Sequence, residues 1–186
     1  MAINKKTGFN LLLIAFVLSF FVTPLGHIGK VFLNQLFSGK PNIIEPSSRA
    51  QLASFNWKLK DAQWDYFNFE ASKGKVIFIN FWASWRLPCE AELKDIQHLF
   101  ETYGDQVEFY IITNEERLPV EEFMENKKFS FPVTYQIIGE PSPLELLEPP
   151  GTYIIDKNGF IVVKEEDIAD WDNSSIRQLL DKLINS

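Results

Sequence analysis

Between Val76 and Trp82 the chain reads Val-Ile-Phe-Ile-Asn-Phe-Trp, a nearly continuous apolar run that stops directly before an amphipathic segment. A strand with one wet face alternates apolar and polar residues, whereas an unbroken run is covered on both faces and belongs in the middle of a sheet. In the next segment Leu93, Ile96, Leu99, Phe100 and Tyr103 recur at steps of three and four, while Glu90, Glu92, Lys94 and Asp95 fill the other side. This spacing predicts a helix. Leu87-Pro88 suits its first turn, where a missing backbone N–H costs nothing. A buried strand that hands over directly to a helix restricts the chain to a layered α/β architecture.

The rest of the chain continues the alternation. Phe55–Leu59 and Trp64–Phe69 read as a strand pair, with Lys73-Gly74-Lys75 marking the next turn. Val107–Thr113 is a second buried strand, and Pro119–Lys127 a short helix opened by its proline. Phe131–Ile138 is expected to be extended and is followed by a Pro-rich connection with one turn at Leu144–Leu147. Thr152–Ile155 and Phe160–Lys164 flank Asp156-Lys157-Asn158-Gly159, a hairpin signal in which Asn-Gly supplies positive φ. Ser174–Ile184 places Ile176, Leu179, Leu180, Leu183 and Ile184 on one helical face. The expected fold is a mixed central sheet with helices on both faces, spanning residues 55–186.

The N-terminus has a different character. Thr7 to Gly29 contains no acid, Lys or Arg, and its centre, Leu11–Val22, is almost wholly apolar behind Lys5 and Lys6. Residues 1–30 therefore read as an uncleaved signal anchor forming one N-terminal transmembrane helix, with a cleaved signal peptide as the alternative. Residues 31–54 shift to Gly, Pro, Ser and Asn and read as a tether. The net charge of −7 is uneven. Residues 1–50 hold five bases and one acid, so the remaining 13 bases and 24 acids give that part −11. An acidic body without a basic aromatic groove argues against nucleic acid as a partner.

The turn between strand and helix carries the chemistry. Unpaired N–H groups and the helix dipole favour an anion there, and redox enzymes use that position for a thiolate. The run Gly-Lys-Val-Ile-Phe-Ile-Asn-Phe-Trp-Ala-Ser-Trp-Arg-Leu-Pro-Cys-Glu-Ala-Glu-Leu, from Gly74 to Leu93, resembles the thioredoxin-like family of membrane-anchored TlpA and ResA type thiol–disulfide oxidoreductases. Their pattern Phe-Trp-Ala-x-Trp-Cys-x-x-Cys-x-x-Glu is matched except at the first cysteine, where Arg86 stands. Downstream, Pro150-Gly151-Thr152-Tyr153-Ile154-Ile155-Asp156-Lys157-Asn158-Gly159 resembles the family's cis-proline loop and hairpin. The resemblance implies a thioredoxin-like fold from about Phe55 to Ile184, a soluble domain that is periplasmic or otherwise extracytoplasmic, and a protein or thiol partner there. It also implies that Pro150 is the cis-proline, Cys89 the inner resolving thiol and Glu92 an acid that tunes thiol chemistry. Trp85, Pro88, Pro149, Pro150 and Gly151 would form the substrate-contacting surroundings.

The departures redirect the function. Cys89 is the chain's single cysteine, and dithiol exchange needs one thiolate to attack and a second thiol to resolve. Arg86 stays protonated and is no nucleophile. It also puts positive charge at the positive end of a helix unless a carboxylate or ligand neutralises it. Pro149 lacks the N–H that its counterpart in relatives offers to a docked strand, an objection that weakens if the cis bond lies at Pro149 instead. The resulting expectation is a binding or assembly module whose dithiol cycle is lost. The alternative is a monothiol enzyme using Cys89, through a mixed disulfide or, less favoured, as a peroxidase.

Other residues have plainer readings. Cys89 is either a small buried hydrophobe or a reactive thiol, and Glu92 either a solvated helix residue or a buried proton-handling acid. Trp82 and Trp85 read as core and rim packing. His27 and His98 lack a second ligand nearby, so no metal site and no cofactor is expected. Glu165, Glu166, Asp167, Asp170 and Asp172, around Trp171, lack the glycine and spacing of a calcium loop and read as a solvated connector.

Overall fold

The computed structural model describes residues 5–22, 24–36 and 38–186. Strand β3 (Val76–Phe81) is buried along its whole length, as its unbroken apolar run predicts. Before it come helices α1 (Lys5–Val22) and α2 (Pro24–Leu36) and strands β1 (Lys58–Lys60) and β2 (Tyr66–Asn68). After it come α3 (Leu87–Tyr103), β4 (Val107–Thr113), α4 (Arg117–Lys127), β5 (Val133–Gln136), β6 (Gly151–Ile155), β7 (Ile161–Glu165) and α5 (Ser174–Ile184). The seven strands form one mixed sheet in the order β2-β1-β5-β4-β3-β6-β7. β3 runs parallel to β4 and β4 to β5, while β6 lies antiparallel to β3 with Phe81 opposite Gly151 and Asn80 opposite Thr152.

Helices are expected on both faces from the sequence, and the structure corrects this: α3, α4 and α5 share one face. Alternate residues of a strand point to opposite sides. Val76 and Phe78 pack with Leu93, Ile96 and Leu99 of α3, Val120 of α4 and Ile176 and Leu180 of α5. Ile77, Ile79 and Phe81 instead meet Trp57, Phe69, Leu144 and Leu147, which come from connecting segments. The cause is topological. β3, β4 and β5 step across the sheet in one direction, so right-handed crossovers carry both α3 and α4 to the same side. The Pro-rich connection forms no helical turn at Leu144–Leu147, yet both leucines are buried as the lid of the second core.

The hairpin between β6 and β7 closes as expected, but with positive φ at Gly159 alone. Asp156 supports it, its side chain accepting from the N–H groups of Asn158 and Phe160 at 2.9 Å each.

The transmembrane helix expected over residues 1–30 falls on α1 and α2, and residues 1–4 and 23 lie outside the described residues. Among the described residues no helix is long and apolar enough to cross a membrane. α2 packs on α3 through the buried Val31. Residues 39–54, read as part of a tether, lie along the open edge of β7. Gly39 bridges Ala169, Ile43 bridges Val163 and Gln51 bridges Phe160, while Ile44 N–H donates to the Val162 carbonyl at 2.8 Å. Composition reports that this segment lacks periodicity, but an unpaired sheet edge still offers it hydrogen-bond partners.

Candidate functional site

Past Phe81 the chain leaves the sheet and turns into α3 over Trp82–Arg86. Trp82 is buried against Phe123 of α4, and its backbone N–H donates to Ile112 at 2.9 Å. The turn is then held by a residue from the next strand–helix connection. Glu115 accepts from the Ser84 N–H at 2.6 Å and the Ser84 hydroxyl at 2.7 Å. A carboxylate on two donors is a strong tether, and it leaves Trp85 projecting outward, 72% exposed.

Arg86 is the N-cap residue of α3, with extended φ and ψ and no capping hydrogen bond from its side chain. Its cation therefore opposes the helix dipole, and the structure shows what compensates it. The guanidinium donates to the carbonyl of Pro149, lies 3.8 Å from a Glu148 carboxylate oxygen and sits 5.5 Å from the Trp85 ring centre. The peptide bond between Pro149 and Pro150 is cis, so Pro150 is the cis-proline. Arg86, Pro88, Pro149 and Pro150 line one hollow, and Gly151 begins β6 immediately beneath them. Gly151 has to be glycine, because a Cβ there would come within 2.4 Å of the Leu147 Cβ.

Cys89 faces inward with no exposed surface and is a free thiol. Burial pushes its pKa up to about 12; the backbone hydrogen bond involving Ala83 and the Arg86 charge pull down, while Glu92 and Glu115 push up. Glu92, one turn further on, is 1% exposed. It accepts from Asn80 Nδ2 at 2.7 Å, from the Trp171 indole N–H at 3.2 Å and from the Ala169 N–H at 3.3 Å. Asn80 also donates to the Thr152 hydroxyl at 2.9 Å, and its own Oδ1 is buried without a partner. Burial outweighs the three hydrogen bonds and raises the Glu92 carboxyl to about 8. Glu92 is thus a buried acid that joins α3, β3, β6 and the segment before α5.

The candidate residues fall into two layers. Arg86, Trp85, Pro88, Pro149 and Pro150 meet at the surface, whereas Cys89 and Glu92 lie beneath them. The acidic run is not merely a solvated connector, because Ala169 and Trp171 are buried as the ceiling over Glu92. His98 is in the outer half of α3 with Asp172, 3.2 Å away, and the side chain of His27 lies outside the described residues. Among the described residues no group of three or more His, Cys, Asp and Glu could hold a metal. Spacing along the chain does not mark Asn80, Glu115, Glu148 or Trp171 as site residues. Only Asn80 carries a signal, as a lone polar residue in a strand buried on both faces, which must find partners.

The chain is 36% identical over 92 residues to the thiol-disulfide oxidoreductase ResA of Oceanobacillus iheyensis, an alignment covering 48% of each protein, so it spans about half of that relative. It is 28% identical over 143 residues to ResA of Bacillus subtilis, covering 73% of this chain and 74% of that one. It is 26% identical to the thioredoxin-like protein YneN of the same organism, over 80% of this chain and 86% of the relative. Among solved structures, a DsbF homologue from Corynebacterium diphtheriae superposes with a TM-score of 0.59 at 16% identity, covering 79% of this chain and 95% of that one. A secreted thiol-disulfide isomerase from Corynebacterium glutamicum gives 0.59 at 16%, covering 81% and 95%. At such identities the agreement shows a shared thioredoxin-like fold. Residues 51–164, more than half of the chain, match the AhpC/TSA family, and the chain belongs to it.

Proposed function

We propose that this protein is an exported thioredoxin-like domain that has left the dithiol cycle and binds a protein partner at the surface around Arg86. One observation carries this reading: an arginine, held on the Pro149 carbonyl, occupies the exposed start of α3, while the chain's one cysteine is sealed beneath it. A thiol with a pKa near 12 is thiolate in only about one molecule in a hundred thousand at neutral pH, so Cys89 is a poor nucleophile as well as an unreachable one. The monothiol alternative loses its reagent for that reason. Arg86 already occupies one acceptor direction of the Pro149 carbonyl and proline has no N–H, which disfavours a strand ladder with a partner at this residue.

The relatives named as ResA and the secreted isomerase support placing the domain outside the cytoplasm. α1 supports attachment to a membrane, because Phe9, Leu12 and Phe16 are 68%, 72% and 70% exposed among the described residues. Retention of the full chain in the membrane pellet after alkaline carbonate washing is the expected result.

The decisive assay is dithiol-dependent reduction of a disulfide substrate by the full chain in mild detergent. No turnover above background is expected, and Arg86→Cys is expected to gain some. Robust wild-type turnover that Cys89→Ser abolishes would overturn the proposal.

A further inference from the structure

Away from the Arg86 turn, a hollow of about 590 Å³ opens on the helix-bearing side of the sheet, and it shares no residue with the hollows around Arg86 and Pro149. Four separate segments wall it: the last turn of α3 at Phe100, α4 at Val120 and Met124, the start of β5 from Phe131 to Tyr135, and the β1–β2 turn at Asp61. Strand order is the cause. β1 and β2 continue the sheet beyond β5 and are joined by a turn instead of a helix, so the helix layer ends before the sheet does.

The aromatic walls are braced from behind. Phe100 meets Phe109 edge-on with ring centres 5.5 Å apart, Phe131 stacks on Phe129 at 5.2 Å, and Tyr135 tilts against Trp64 at 5.7 Å. Rings held in this way resist collapse of the hollow, whose volume falls in the range of roughly 300–1,000 Å³ that small-molecule sites occupy. Its charged lining is acidic, since Asp61 and Glu121 face it and no Lys or Arg does. Glu121 is paired with Arg117 at 2.6 Å. Asp61 is not paired. Its Oδ1 accepts from the Gln63 and Asp65 N–H groups at 2.9 Å each, which leaves Oδ2, and it has no ion pair among the described residues. Lys60, its neighbour in sequence, instead lies over the rings of Trp64 and Tyr66, 4.1 and 5.3 Å from their centres.

We propose that this hollow is a second binding site, for a small aromatic amine whose ring body rests among Phe100, Met124, Phe131 and Tyr135 and whose ammonium meets Asp61. The site stands apart from the reading of the Arg86 surface. An anionic ligand would meet two carboxylates, and a neutral apolar one would strip water from Asp61 without replacing its hydrogen bonds. A protonated amine supplies those hydrogen bonds and is also attracted by the faces of the surrounding rings. Met124, unbranched and polarisable, can adjust to the shape of the ring body. Walls drawn from four segments around one compact hollow suit a small molecule better than a polypeptide, which needs a groove to run along.

The test is equilibrium dialysis of the full chain in mild detergent, with equal detergent on both sides, against 1-naphthylmethylamine, 1-naphthalenemethanol and 1-naphthoate. These probes share one ring system and differ in charge. The amine should bind saturably, one per chain, about tenfold more tightly than the alcohol, with naphthoate weaker still. Asp61→Asn keeps the Oδ1 acceptor of the turn and removes the charge. It should weaken the amine about tenfold and leave the alcohol unchanged, which also shows that the hollow is intact. Met124→Trp, which fills the hollow, should weaken amine and alcohol together. Equal affinity for amine and alcohol, tighter binding of naphthoate, amine binding untouched by either substitution, or no saturable binding beyond that of empty micelles would overturn the site. A dimer of the chain that excludes the amine would assign the hollow to a second copy, and a lysyl-phenylalanine dipeptide that binds more tightly than the amine would assign it to a protein side chain; either result overturns the proposal.

Discussion

Asn80 donates to Glu92 across 2.7 Å, from the centre of the sheet to the second turn of α3, where neither residue reaches solvent. The pair links the strand before the Arg86 turn to the helix after it. It also makes the fold sensitive to pH.

The Glu92 carboxyl is raised from its ordinary 4.5 to about 8, chiefly by burial, so the folded state holds its proton more tightly than the unfolded state does. Stability from this group is complete below about pH 4.5, declines as pH rises toward 8 and is lost above that. The upper bound is on the order of 5 kcal/mol, because each pKa unit corresponds to about 1.4 kcal/mol. Urea midpoints taken across this window should fall with pH in the wild type. Glu92→Gln should flatten the profile, and a wild-type midpoint that rises across the same window would contradict the assignment.

Cys89 should resist alkylation in the native state. With no exposed surface and a pKa near 12, its reaction with iodoacetamide at neutral pH should follow unfolding and reach the normal rate only in denaturant. Cys89→Ala should cost roughly 1–2 kcal/mol through lost packing. Rapid native labelling, followed by mass spectrometry, would show instead that the thiol is reachable.

Gly151 and Leu147 should show strong coupling. A Cβ at residue 151 would lie 2.4 Å from the Leu147 Cβ, so Gly151→Ala should destabilise by about 1–3 kcal/mol. Shortening Leu147 to Ala does not remove that Cβ, whereas Leu147→Gly does. In a double-mutant cycle of chemical denaturation, Gly151→Ala should be less harmful in the Leu147→Gly background.

Glu115 should control the rigidity of the Arg86 turn. Glu115→Ala removes the acceptor for both the Ser84 N–H and its hydroxyl, at a cost of about 1–3 kcal/mol. Hydrogen exchange at the Ser84 amide should accelerate markedly while amides in β4 stay protected. Glu115→Gln should restore part of the protection, since its carbonyl oxygen still accepts one bond.

Elements with strong periodicity are legible in the amino-acid sequence. Val107–Thr113 and Ser174–Ile184 match the observed β4 and α5, because a nearly continuous apolar run marks a strand buried on both faces and helical apolar spacing records the one face that α5 buries. The extended segments at Phe55–Leu59 and Trp64–Phe69 are recognisable but shrink to three residues each, since neighbours decide how much of a segment pairs. The side of the sheet taken by each helix is not readable, as it follows from strand order and crossover hand. Nor is the course of residues 39–54, whose long-range hydrogen bonds are to the β6–β7 turn, β7 and the following segment more than a hundred residues away.

The site divides in the same way. Arg86, Cys89 and Glu92 lie within seven residues, and local spacing alone puts them at the start of one helix behind a buried strand. The chain therefore determined by itself that a cation stands where an anion would be favoured and that no second thiol accompanies Cys89. Only tertiary structure decided how that cation is accommodated, by bringing Glu148 and the Pro149 carbonyl to Arg86 from more than sixty residues away. It likewise sealed Cys89 and enclosed Glu92 between Asn80 and Trp171. Spacing along the chain specifies which side chains share a face; desolvation and charge pairing depend on what folds over that face, and the groups that do so here come from distant segments.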